Sequence, residues 1–486
     1  MAKEMKTSSS SSGGFWKGWL VFISATILVI GFPYVRNQVN WIEAYTTGYQ
    51  IPFLPSVASE RVEAPLAQVD TAILKDTLVT LQVDTAYLDS LDRANYLDSI
   101  DAEAAKGLTS FFSSLSQLES DSNKKVTILW FGDSMIEGDM ITQDVRDSLQ
   151  RRFGGAGIGH VPITSVVNYF RNTIRHDFSE NWSNFNLVNG EKPHLPLNWN
   201  GEYFTAAHDS DAAVQTSDSL FLSYRGSGAF EGTRYLPNAT LLYGRRKKDS
   251  LYHDSINTVT FKSTTYPLTD TNKVNRLKLS KQTLYRVEPT FELKPDQPLF
   301  GMHFHSGSGI ELSNISSRGN SGMILSAVPA AIFKGMSGDQ PPSLIVLQYG
   351  VNASSLGVTQ YDWYQRAMKR VVRYLQRVYP TTSIVVVSLA DRCAKINGTM
   401  QTDSSVFAMN KVLMDVALEN EVAYFDLFNK MGGANSMKEW AEGEPSLANK
   451  DYTHFNFRGS RKVANYFIEF LTEQYSAFKK EEKQHD

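Results

Sequence analysis

Residues 126–134 read VTILWFGDS, an apolar and β-branched run that ends in Gly132, Asp133 and Ser134. A run of this texture is a strand buried on both faces, because it offers no regular polar face to water. Residues 141–153 follow as a helical pattern that stops at Gly154-Gly155, a glycine terminator. The same strand–loop–helix order recurs downstream. Residues 310–315 lead through a Gly-rich turn to a helix at 323–333, and 344–349 (LIVLQY) lead to 361–378. Residues 384–389 (IVVVSL) lead to 405–418, and 422–427 lead eventually to 459–475. Short apolar strands alternating with amphipathic helices predict an α/β fold, a doubly wound parallel sheet covered on both faces. Such sheets carry their sites in the loops beyond the carboxyl ends of the strands.

Between residues 176 and 309 the texture changes. Alternating stretches at 219–224, 240–243, 258–262, 284–293 and 299–305 are separated by clusters of Gly, Asn, Asp and Pro. These predict an inserted all-β sandwich, placed between the first and second strands of the parallel sheet. A compact module with close termini can replace a surface loop there. The α/β domain is then expected in two parts, 106–175 and 310–478, with a charged tail at 479–486.

Residues 18–35 (GWLVFISATILVIGFPYV) carry no charge, and their length approaches the ~20 apolar residues needed to span a bilayer. Trp16, Trp19 and Tyr34 sit at its ends, where aromatic rings favour the membrane interface. Lys3, Lys6 and Lys17 precede it and only Arg36 follows closely, so residues 1–17 are expected in the cytoplasm. The run exceeds the apolar region of a cleaved signal peptide, and no A-x-A-like site follows it. It is expected to be an uncleaved transmembrane signal anchor. Residues 36–105, with Pro52, Pro55, Pro65 and an acidic tract, read as a stalk or partly helical linker.

The 486 residues are 42% hydrophobic and 20% charged, which excludes wholesale disorder. Net charge is −3, leaving no electrostatic footprint for nucleic acid. The single cysteine, Cys393, excludes an intrachain disulfide framework, a cysteine zinc site and an iron–sulfur cluster.

Four loops hold candidates for chemistry. Ser134, at the carboxyl end of a buried strand, is exposed on rigid backbone near main-chain N–H groups, as a nucleophilic hydroxyl requires. Such a hydroxyl needs an imidazole to take its proton, and the imidazole needs a carboxylate to hold its tautomer. Asp451-Tyr452-Thr453-His454 offers both, and His454 is the one histidine of nine with an aspartate three residues ahead. Asn352, in Gly350-Val351-Asn352 after the LIVLQY strand, can present an amide to an oxyanion. The segment Arg318-Gly319-Asn320-Ser321-Gly322 follows the second strand, where a glycine lets backbone approach a substrate and offers its N–H. All four lie after separate strands, on one predicted edge of one sheet.

In this order the four blocks resemble the SGNH (GDSL-type) hydrolase superfamily, over about 106–175 and 310–478. The resemblance implies a flavodoxin-like doubly wound fold, with Ser134 as nucleophile and His454 and Asp451 as its partners. It implies an oxyanion hole of the Ser134 N–H, the Gly322 N–H and the Asn352 amide, with Gly319 as the less favoured glycine. One departure is Ala353, where the family carries an acid. Ser134 and Gly322 stand 188 residues apart, and an insert at that place resembles bacterial peptidoglycan O-acetylesterases, whose sandwich looks carbohydrate-binding. The expected activity is removal of an acyl group, acetyl foremost, from an O-acylated polysaccharide or peptidoglycan. No cofactor and no metal enter this reading, and the expected location is a bacterial inner membrane with the catalytic part periplasmic. The same triad suits a glycan O-acyltransferase, and loss of activity would leave a glycan-binding envelope protein.

Other features carry less. His303 and His305 alternate on a predicted strand, sharing a face on which a metal could bind, with no third ligand evident. Trp182, Trp199, Tyr203, Tyr224 and Tyr235 could stack on sugar rings or fill a sandwich core. The glycines of 154–159 follow a helix, whereas a phosphate loop precedes one.

Overall fold

The computed structural model describes residues 92–485 apart from 191, 208–219 and 247–255, with side chains from 106 to 484. The expected anchor at 18–35 and the stalk up to residue 91 lie outside the described residues. Helix α1 (Asp92–Ser120) leads into β1 (Lys125–Gly132), in which every residue after Lys125 is buried. Beyond α2 (Thr142–Phe153) and the insert come β2 (Gly309–Ser316), α3 (Ala330–Ser337), β3 (Leu344–Gln348) and α4 (Asp362–Val378). Next are β4 (Ser383–Val387), α5 (Ser404–Leu418), β5 (Ala423–Phe425), α6 (Leu427–Lys430) and α7 (Ser436–Glu442). The last helix, α8 (Phe457–His485), continues through 479–485, where Lys479 bonds Ser116 of α1.

The five strands form one parallel sheet in the order β2-β1-β3-β4-β5. This is the doubly wound order whose switch point lies between the first and third strands. Alternation along β1 divides its side chains between two layers. Ile128 and Trp130 pack with α1, α2 and α8, whereas Leu129 and Phe131 pack with α3, α4 and α5. Gly132 pairs with Ser316 on one side and Gln348 on the other, so three strands end level. The following loops therefore open on one rim.

The helix expected at 323–333 is broken. A 3₁₀ turn (Met323–Ala327) precedes α3, because Pro329 forces Val328 into extended backbone.

Among the described residues the insert holds two six-stranded antiparallel sheets and a two-stranded pair, Leu236–Pro237 with Thr283–Leu284. Leu222, Tyr224, Val259 and Phe291 of one share a core with Leu241, Tyr243, Leu299 and Phe304 of the other. The second sheet takes in Gly159–Val161, which pairs with Leu299–Phe304, so the insert recruits chain ahead of residue 176. It is also no loose appendage. Trp199, Tyr203 and Phe300 pack in the same core as Leu129 and Phe131 of β1.

Candidate active site

Gly132 ends β1, and Asp133 and Ser134 turn out onto the rim. The Asp133 carboxylate accepts the Met135 N–H at 3.0 Å, which holds the turn. Ser134 Oγ lies 3.0 Å from His454 Nε2, and His454 Nδ1 lies 2.8 Å from Asp451 Oδ2. The loop before α8 produces this second contact locally. Tyr452 takes a left-handed φ of 53°, and the N–H groups of Thr453 and His454 both donate to Asp451 Oδ1 at 3.0 Å. Burial works to raise the Asp451 carboxyl. The His454 backbone and ring and the Thr453 N–H outweigh it and hold the group below the usual carboxylate range. The structure thus brings together a hydroxyl, an imidazole and a carboxylate from the two ends of the α/β domain. They border a pocket of about 360 Å³, with Arg318, Tyr169 and Phe170 among its other walls.

The expected oxyanion donors are placed differently. The Gly322 N–H donates to Asn320 Oδ1 at 2.8 Å, so it is engaged rather than open. Its φ of 85° and missing side chain serve packing, since a Cβ would stand 2.7 Å from the Tyr349 ring. The Asn352 amide nitrogen likewise spans two acceptors, Asp133 Oδ2 at 3.0 Å and the Asn320 carbonyl at 3.1 Å. The cradle of Ser134, Gly322 and Asn352 is therefore not assembled here as expected. Main-chain N–H groups of Ser134 and Gly319 make no hydrogen bond among the described residues. Gly319, at a φ of 79°, follows Ser317, whose N–H bonds the Gly132 carbonyl. Asp133 is itself buried, and burial pushes its carboxyl up to about 7 against the Met135 N–H, the His454 charge and the Asn352 amide.

Sequence reasoning passed over the network beneath this rim. Asp139 accepts two hydrogen bonds at 2.7 Å from the Arg146 guanidinium and one each from Thr142 and Thr173 at 2.6 Å. Arg171 pairs with it at 3.3 Å. Burial opposes ionisation of Asp139, but the two guanidinium groups hold its carboxyl well below the usual range. Arg146 lies on α2 and Asp139 in the left-handed turn before it, and an arginine on a buried helix face was the available signal. The pair of Arg318 with Glu137 at the pocket mouth was also missed, since 181 residues separate its members.

The weaker candidates resolve into structure. His303 and His305 share a face with ring centroids 4.8 Å apart, and both turn to Glu311. Lys125 Nζ reaches the same carboxylate at 3.2 Å, so Glu311 is shared among two imidazoles and an ammonium. Trp199, Tyr203 and Tyr224 are buried in the cores, contrary to a sugar-stacking role. Tyr235 is exposed, and Trp182 packs edge-on to Phe291.

No family model matches the sequence, and no curated protein matches it. A solved peptidoglycan O-acetylesterase superposes with a TM-score of 0.61 at 18% identity, covering 76% of this chain and 96% of its own. An acetyl xylan esterase gives a TM-score of 0.26 at 19% identity, covering 33% of this chain and 80% of its own. A lipase/acylhydrolase from Enterococcus faecalis gives 0.26 at 12% identity, covering 34% and 78%. The first comparison shows a shared fold, in accord with the resemblance to SGNH hydrolases.

Proposed function

We propose that this protein is a serine esterase of the SGNH type that removes acyl groups, acetyl foremost, from an envelope glycan. The observation that carries this reading is the continuous relay from Ser134 Oγ through His454 to Asp451, set on the border of an open pocket. His454 Nε2 takes the Ser134 proton as Oγ attacks the ester carbonyl, and Asp451 stabilises the imidazolium. Negative charge on the tetrahedral oxygen meets the open N–H of Ser134, with the Gly319 N–H as a second main-chain donor. As the bond from the carbonyl carbon to the sugar oxygen breaks, His454 gives that oxygen its proton, leaving an acyl-enzyme and a free sugar hydroxyl, and water activated by the same imidazole releases the acid.

The His454 and Asp451 side chains are 39% and 48% exposed, so water has access to the acyl-enzyme. That access favours hydrolysis over transfer to a second glycan hydroxyl. The glycan substrate is supported by the shared fold with an esterase of peptidoglycan. The apolar stretch at 18–35 and its lysine-rich flank support a single-pass tether to a bacterial inner membrane, with the esterase on the periplasmic side.

Ser134→Ala is expected to lower kcat on p-nitrophenyl acetate by about 10⁶-fold. Mass spectrometry of O-acetylated cell-wall glycan should show acetate loss with the wild-type protein and none with the variant. Turnover unchanged by the substitution would remove the assignment.

A further inference from the structure

Beside the triad pocket lies a second cavity, also of about 360 Å³, within the roughly 300–1,000 Å³ typical of small-molecule sites. Glu137, Val167 and Arg318 border both, so the two form a continuous groove. Resting on the esterase reading above, we propose that this second cavity binds an uncharged sugar residue of the glycan, adjoining the one whose ester reaches Ser134.

The wall is built by the insert. Strand Trp182–Asn186 pairs with Glu202–Ala206, placing Asn186 opposite Glu202 and Asn184 opposite Phe204. All four residues line the cavity, and Asn189 and Asn200 join them. Amide side chains both donate and accept, which matches the hydroxyl and acetamido groups of a neutral sugar. Asn200 is 2% exposed and its Oδ1 has no hydrogen-bond partner, an acceptor that a sugar hydroxyl would satisfy.

The cationic groups of the wall each face a carboxylate of this chain. Arg171 stands 3.3 Å from Asp139, and Arg318 pairs with Glu137. Burial pushes the Glu202 carboxyl up to about 7, against the pull of Asn200, Asn198 and Asn184, so near neutral pH it can donate to a sugar hydroxyl as well as accept from one. Tyr169, 79% exposed on the triad pocket, gives the neighbouring sugar ring a flat apolar face.

The test is binding, without turnover. The full chain carrying Ser134→Ala is titrated calorimetrically with chitotetraose, an uncharged oligomer of N-acetylglucosamine. Saturable binding is expected, weakened about fivefold or more by adding Asn184→Ala and Asn189→Ala, as loss of a net hydrogen bond implies. Both asparagines are exposed, so the unfolding midpoint should hold. Hydrogen exchange on the Ser134→Ala protein supplies a second measurement, with slowing expected over 182–204 when chitotetraose is present. Absence of binding, equal binding by the two proteins, no slowing at 182–204, or tighter binding of anionic tetragalacturonate would each overturn the proposal. Failure of the esterase reading is separate, because it would appear as unchanged turnover by Ser134→Ala.

Discussion

Asp133 illustrates how one buried carboxyl can be held at a cost to the fold. Its oxygens anchor the turn that presents Ser134 and the amide of Asn352. Burial raises it to about 7, whereas in the unfolded chain it returns to about 3.9. Between those values the folded state holds a proton that the unfolded state lacks, so this group's contribution to stability falls as pH rises from about 4 to 7. Asp133→Asn removes the titration. The unfolding free energy of wild type relative to Asp133→Asn should therefore decline across that window, by an amount on the order of 4 kcal/mol at about 1.4 per pH unit. Thermal or urea unfolding of both proteins at several pH values measures it, and a difference independent of pH would contradict the burial argument.

The segment joining β1 to α2 does the work of aiming. Gly138, Asp139 and Ile141 all have φ near 70°, and the Thr142 N–H donates to the Met140 carbonyl at 2.7 Å across Ile141. A three-residue turn of this kind is strained for a β-branched residue and persists only when its surroundings over-determine it. Asp139 supplies that constraint through Arg146, Arg171, Thr142 and Thr173, and Arg146 is further tied to the Leu312 carbonyl of β2 at 2.8 Å. Arg146→Ala would leave a fully buried carboxylate short of its main partner. The expected loss is about 3–5 kcal/mol in urea unfolding. A loss below about 1 kcal/mol would mean that Arg171 alone can hold the charge.

At the scale of the molecule, the insert and the α/β layer share one core. Trp199 meets Phe131 of β1 edge-on at 6.1 Å and His160 of the insert at 5.6 Å, and is 2% exposed. Trp199→Ala should therefore cost about 3–5 kcal/mol, the usual range for emptying a large aromatic site. Because the core is common, calorimetry of the wild type should show both parts unfolding in a single transition. Two separated transitions would show that the insert is an independent module. The same contact holds the asparagine-bearing wall beside the triad, linking stability to the geometry of the groove.

The parallel strands and the Asp451-to-His454 contact were legible in the sequence because both are short-range. A buried strand needs an unbroken apolar run, and a carboxylate three residues from an imidazole can reach it within one loop. Level strand ends then follow from the pairing of Gly132 with its neighbours. The oxyanion donors were not legible. Whether Gly322 keeps an open N–H depends on where the side chain of Asn320 lies, and in the folded chain Asn320 Oδ1 accepts it. Nor could the aromatics of the insert be sorted, since Trp199 and Tyr235 look alike until a second layer buries one of them. Periodicity and local spacing determine which elements form and which loops carry polar groups. Hydrogen-bond partners as far apart as Ser134 and His454, 320 residues, and the burial that shifts a carboxyl, exist only once the layers have closed.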